Sequence, residues 1–179
     1  MAQQRTEQLY DRHADALFGF LLNLTQHEAD TRDLLQSLFV KLAQNPDMLA
    51  GARDERAYLL QVAHRMFIDL VRRRQAGDRL LEKVAAESAI QDAPALFVID
   101  SNLCAEERQR LEAALSALPD DQRAAVQLRI WEQRTFEEIA SITGVSKATA
   151  VSRYRYALDK LRSRLAREFD HSHLPIPKL

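Results

Sequence analysis

The chain of 179 residues holds one cysteine, Cys104. That count excludes an internal disulfide framework and a zinc site built on several thiolates. Four glycines, five prolines and 7% aromatic residues are too few for an all-β fold, which needs frequent turns and β-branched or aromatic strands. No stretch approaches the roughly 18 consecutive apolar residues of a membrane span. The N-terminal "MAQQRTEQLYDRHAD" has no apolar core of signal-peptide type. P-loop, dinucleotide-binding glycine fingerprint, nucleophile elbow and HExxH are all missing. These absences predict a helical, cytoplasmic protein that does not insert in a membrane, with no enzymatic motif, cofactor or metal site.

What the chain does have is unevenly spread charge. The formal net charge is −1, yet Arg56 to Arg79 carries six arginines against Asp69 and Asp78, a local +4. Val145 to Phe169 carries seven Lys or Arg against Asp159 and Glu168, a local +5, so everything else sums to −10. Two basic islands in an acidic chain point to two separate contacts with a polyanion. Either island alone is better explained as a solvated helix face.

Apolar residues recur at helical spacing in two blocks. In the first, from about Thr6 to Arg74, Leu9, Leu17, Phe20, Leu21 and Leu24 form one set, and Leu34, Leu35, Leu38, Phe39 and Leu42 another. The loop "AQNPDMLAGARDER" separates these from "AYLLQVAHRMFIDLVRRR", with Leu59, Ala63, Met66 and Leu70 on one face and Arg65, Asp69, Arg72 and Arg73 on the other. That helix is expected to end near the glycine of "RQAGD". Residues 76–104 lose the period and read as a flexible linker, its apolar "ALFVI" left without an assigned strand. The second block, residues 105–169, begins with "CAEERQRLEAALSAL", stops at Pro119 and restarts at Asp120 and Asp121, which suit the positive end of a helix. Residues 170–179 form a tail.

Near the end of the second block, Thr135 and Glu138 have capping-box spacing. Gly144 permits the positive φ of a tight helix-to-helix turn, and Ser146 is placed to cap the following helix. Phe136, Ile139 and Ala140 supply one apolar face; Val151, Tyr154, Leu158, Leu161 and Leu165 supply the next. The opposite face holds Thr149, Ser152, Arg153, Tyr156 and Lys160, with Lys147 in the first turn. A packed stripe, a glycine turn and donors outside make a helix-turn-helix, in which Arg can bond guanine bidentately and Lys or Tyr can reach phosphates. A merely packing amphipathic helix is the plainer alternative, and the cap and polar face weigh against it.

"LPDDQRAAVQLRIWEQRTFEEIASITGVSKATAVSRYRYALDKLRSRL" resembles region four of an extracytoplasmic-function (ECF) sigma factor, a sigma-70 family RNA polymerase subunit. "LYDRHADALFGFLLNLTQHEADTRDLLQSLFVKLAQNP" and "RAYLLQVAHRMFIDLVRRR" are similar to region two. The resemblance implies an all-α protein of two small helical domains, at 5–75 and 105–169, joined by a flexible linker. It further implies binding to core RNA polymerase and promoter DNA, and sequestration by an anti-sigma factor. By position, Asp33, Gln36 and Phe39 match the polymerase-binding stretch. Arg56, His64, Arg65, Asp69, Arg72 and Arg73 match the element that meets the minus-ten DNA, with the loop Asn45 to Arg56 placed to hold an unstacked base. Lys147, Thr149, Ser152, Arg153, Arg155 and Tyr156 match the helix that reads the minus-thirty-five element. The family usually carries acids at Arg32 and Ser37, and a basic residue at Tyr156.

Other features attract simpler readings. His171 and His173 make an H-x-H, two ligands without a third. Asp69 is expected to orient neighbouring arginines rather than catalyse, and Trp131 reads as core. A stand-alone helix-turn-helix regulator is the rival function, and an interaction protein whose basic helices bind an acidic partner is a second.

Overall fold

The computed structural model describes residues 2–81 and 105–170, which form seven α-helices and one 3-10 turn with no strand among them. The apolar periods of the first block become α1 (Ala2–Thr25), α2 (Glu28–Gln44) and α3 (Glu55–Leu81). Phe20, Leu17, Leu21 and Leu24 from α1, Leu38 from α2 and Leu59 and Leu60 from α3 are fully buried together. Each contributes about 1.5–3 kcal/mol through removal from water. The α1–α2 corner is set by Gln26 in the left-handed region (φ 54°) and by the His27 ring, which accepts from the Asp30 N–H. Within the expected loop, Pro46–Leu49 winds into a 3-10 turn.

Helix α3 runs past its expected end at Gly77 as far as Leu81. An interior glycine costs about 1 kcal/mol relative to alanine, too little to stop a helix whose preceding turns are packed. Arg74 donates to Asp30 at 2.6 Å and ties this helix to α2. The linker readings beyond residue 81, the "ALFVI" stretch and the H-x-H tail lie outside the described residues.

The second block forms α4 (Ala105–Ser116), α5 (Asp120–Ile130), α6 (Phe136–Thr143) and α7 (Lys147–Asp170). Pro119 stands at the N-cap of α5 with Asp120 and Asp121 in the first turn, as their charge predicts.

The two blocks pack on each other. Ala124, Leu128, Ile139, Ala140, Ile142 and Ala150 of the second block join the core of the first. In return, Leu22 of α1 enters the core made by Ala114, Leu115, Leu118, Val126, Ala157 and Leu161. Polar groups stitch the same boundary. Arg123 is buried and donates to the Ser116, Leu118 and Leu24 carbonyls at 2.8–3.1 Å, closing the ends of α4 and α1 at once. Its other partner is Asp120 at 2.6 Å. Gln26 donates to the Ser116 carbonyl at 2.7 Å and Gln61 to the Ser141 carbonyl at 2.9 Å.

Candidate nucleic-acid interface

The helix-turn-helix is built as its sequence dictates. The Thr135 hydroxyl accepts from the Glu138 N–H while the Glu138 carboxylate accepts from the Thr135 N–H at 2.7 Å, a complete capping box. These bonds from Thr135 hold Glu138 below the usual carboxylate range. Gly144 ends α6 at φ 72°, and the Ser146 hydroxyl accepts from the Thr149 N–H at 3.1 Å to start α7.

The packed stripe of α7 keeps four of the five expected residues and adds two alanines in place of Val151. Ala150, Ala157 and Leu161 are buried, Tyr154, Leu158 and Leu165 flank them, and Val151 belongs to neither core. Small residues sit at the centre because α7 crosses α5 and α6 closely, and a valine there would hold the axes apart. Phe136 and Tyr154 meet edge-on at 5.6 Å, and the Arg129 guanidinium lies 5.1 Å from the Phe136 centroid. Trp131 is half-buried beside the second core.

The polar face of α7 divides into free and engaged residues. Arg155, Tyr156 and Lys160 are exposed. Lys147 is also exposed and is bonded to Glu137, which that bond keeps in its charged form. The half-buried Thr149 shares its hydroxyl with Ser146 at 2.8 Å, and Ser152 donates to the Thr149 carbonyl at 2.9 Å. Arg153 is half-buried and pairs with Asp121 at 3.0 Å.

On α3, Arg65, Asp69, Arg72 and Arg73 are exposed in one row. The Asp69 carboxylate is 3.9 Å from Arg72, whereas Arg73 bonds the Asp69 main-chain oxygen. Asp69 therefore steadies its neighbours mostly through the backbone. His64 departs from the expected surface position, being 7% exposed. Burial, then the Arg153 charge, lowers its pKa to about 4, so at neutral pH it is an uncharged ring between blocks. Arg56 is bound in a fork by Glu132, at 2.7 and 3.1 Å, and the Glu132 side chain is 4% exposed. Arg134, also buried, bonds Asp54 and, at 3.1 Å, Glu138. Burial would raise the Asp54 carboxyl, but the Ala57 N–H and Arg134 outweigh it and hold the group low.

Helix α2 shows Asp33 and Gln36 to solvent and buries Phe39. Between α1 and α2 lies an open apolar groove of about 640 Å³, lined by Tyr10, Phe18, Leu35, Gln36, Phe39 and Val40. Tyr10 and Val40 are half exposed, and the Tyr10 ring meets Phe39 edge-on at 4.9 Å. Sequence reasoning passed over both, although a tyrosine and a valine off the buried positions of their helices were the signal. Arg32, where the family usually has an acid, pairs with Glu28 one turn back. Glu132, Arg134 and Arg123 were missed as well; their partners lie across the fold. Among the described residues no group of three His, Cys, Asp or Glu could hold a metal, and no helix is long and apolar enough to cross a membrane.

Comparison with known proteins decides the family. Residues 9–77 match the model of Sigma-70 region 2 and residues 114–163 that of Sigma-70, region 4. The ECF RNA polymerase sigma factor SigL of Mycobacterium tuberculosis is 32% identical over 155 residues, which cover 86% of this chain and 85% of SigL. The chain belongs to the ECF RNA polymerase sigma factors. SigK of Mycobacterium bovis, another ECF sigma factor, is 28% identical over 87% of this chain and 83% of its own. Among solved structures, the sigma factor RpoE of Bartonella quintana, in complex with the anti-sigma factor NepR, superposes with a TM-score of 0.72. It is 24% identical over 89% of this chain and 96% of RpoE. CnrH in complex with the cytosolic domain of CnrY gives a TM-score of 0.63 at 24% identity, over 92% and 90%. As an ECF sigma factor the chain is an alternative RNA polymerase subunit that binds the core enzyme and directs promoter recognition and opening. A stand-alone regulator is not favoured.

Proposed function

We propose that the exposed row Arg65, Arg72 and Arg73 on α3 meets minus-ten DNA, and that α7 reads the minus-thirty-five element through Lys147, Arg153, Arg155 and Tyr156. Thr149, Ser152 and Asp69 act mainly by fixing these side chains, with Arg56 and His64 at the edge of the α3 face. The α2 surface of Asp33 and Gln36, continuous with the Tyr10–Val40 groove, docks on the polymerase. Phe39 supports that surface from beneath. The protein acts in the cytoplasm, where polymerase and promoter are, and carries no chemistry of its own. An anti-sigma factor is its proposed inhibitor, by likeness to the complexes of RpoE and CnrH.

The observation that carries this reading is the arginine row of α3, exposed along a helix whose other face is core. Guanidinium groups in such a row attract phosphate and can read base edges once the strands part. The test is promoter-directed transcription beside core binding. Arg72→Ala with Arg73→Ala should abolish promoter opening while the chain still co-elutes with core polymerase; Asp33→Ala with Gln36→Ala should abolish co-elution itself, and transcription with it. Loss of core binding in the arginine pair would refute the assignment. Phe39→Ala is unsuited to this test, since emptying a buried ring site costs about 3–5 kcal/mol.

A further inference from the structure

The two helices of the helix-turn-helix share a polar contact that the fold does not need. Glu137 in the first turn of α6 and Lys147 in the first turn of α7 are ion-paired across the turn, with 63% and 61% of their side chains exposed. A pair so open to water contributes little to stability. The neighbouring Glu138 is occupied by the capping box and by Arg134, whereas Glu137 is turned to the Lys147 ammonium. The spacing of the two first turns is fixed by the Val145 N–H, which donates to the Ala140 carbonyl at 3.0 Å, and by the Ser146 cap.

Chemistry gives the pair a role at the DNA surface. Lysine carries its charge on a flexible four-carbon stem. Unheld, its ammonium meets the nearest phosphate, a contact that carries no sequence information. The ammonium has three N–H donors. With one bonded to Glu137, two remain for O6 and N7 of a single guanine in the major groove. The first turn is where a recognition helix places its base-reading residues. The carboxylate also repels phosphate, so it turns the ammonium beside it from the backbone towards the base edge.

We propose that Glu137 is a specificity-determining residue of this sigma factor: it positions the Lys147 ammonium on guanine at one base pair of the minus-thirty-five element and keeps it off the phosphates. Glu137 acts through Lys147 and touches no base itself. The inference rests on the reading of α7 as the helix that meets the minus-thirty-five element.

The experiment uses holoenzyme, the full chain on core polymerase, with promoter duplexes randomised across the minus-thirty-five element. Binding is ranked by sequence for the unaltered chain, Lys147→Ala, Arg155→Ala, Glu137→Ala and Glu137→Gln, and salt dependence is measured on selected duplexes. Lys147→Ala defines the position, where the preference for guanine should disappear. At that same position Glu137→Ala should cut the preference about tenfold. It should do so by tighter binding of the other three sequences, with a salt slope steeper by about 0.9, the mark of one new phosphate contact. Glu137→Gln still offers the ammonium an oxygen and should fall between. A uniform loss across all sequences would make Glu137 a structural residue of α6, and a uniform gain would make it a general repeller of DNA. Loss of preference at a position that Lys147→Ala leaves alone would mean that Glu137 reads a base directly. Each of these results overturns the inference, as does an unchanged ranking in Glu137→Ala. Failure of the reading beneath it looks different: Lys147→Ala and Arg155→Ala would both leave every preference unchanged.

Discussion

Protonation of His64 should make this protein acid-sensitive well above the range where its carboxylates titrate. The ring is 7% exposed, and burial together with Arg153 lowers its pKa from 6.5 to about 4. The charged groups around it are Arg153 from α7 and Arg65, Asp69 and Arg72 from its own helix; α6 presents Ile142, Thr143 and Gly144, which carry no charge. In the unfolded chain the same ring titrates near 6.5. The folded state thus binds fewer protons between pH 6.5 and 4, and its stability falls as pH falls through that window. Two and a half pH units correspond to about 3 kcal/mol in full, of which about 2 kcal/mol should be lost by pH 5. The assay is urea unfolding at pH 7.5, 6 and 5, for the unaltered chain and for His64→Gln. The comparison matters because His13 is lowered too, chiefly by burial, and that contribution is common to both proteins. Asp54, held low, stays charged throughout. The expected result is a stability difference between the two chains that changes by about 2 kcal/mol over this range. A difference flat to within about 0.5 kcal/mol would refute the burial of an uncharged ring at this boundary.

Three further predictions concern single positions. Gly144→Ala meets no neighbour within 4 Å, so its cost is conformational alone, about 1–2 kcal/mol at φ 72°, read from denaturant midpoints. Thr135→Ala should lose about 1 kcal/mol with the capping bond, measured the same way. Arg123→Met should cost about 3 kcal/mol, since the carbonyls of Leu118 and Leu24, and the part-buried one of Ser116, lose their donor; a loss under about 1 kcal/mol would show that water replaces it.

The helices were legible because their signals are local. Capping box, glycine turn and apolar period act within a few residues, and Thr135, Glu138, Gly144 and Ser146 all do what their spacing implies. The family was legible from the order of the two blocks. What stayed hidden depends on long-range packing. Nothing near His64 marks it as buried, because the residues that cover it come from α6 and α7. Arg56 reads as a free cation until Glu132, seventy-six positions on, accepts from its Nε and Nη2. The α7 stripe held at Tyr154, Leu158, Leu161 and Leu165 but not at Val151, and it overlooked Ala150 and Ala157, because a valine looks more like core than an alanine. Close crossing of helices favours the smaller residues.

The two basic islands also carry a different meaning once folded. A chain of −1 with two cationic faces needs carboxylates against those faces when no DNA is present, and α5 with its flanking turn supplies them: Asp121 to Arg153 and Glu132 to Arg56. Salt then acts twice. It weakens phosphate contacts by counterion release, with a slope of about −0.9 per contact, and it also weakens the internal pairs on Arg56 and Arg153, the arginines proposed to meet DNA. The two effects oppose each other, so the unaltered chain should show a shallower salt slope than its phosphate contacts alone would give. Removing the internal competitor at Glu132 should steepen that slope even as affinity rises. A substitution that merely added attraction for DNA could raise affinity, but it would not expose a steeper slope from the same set of arginines.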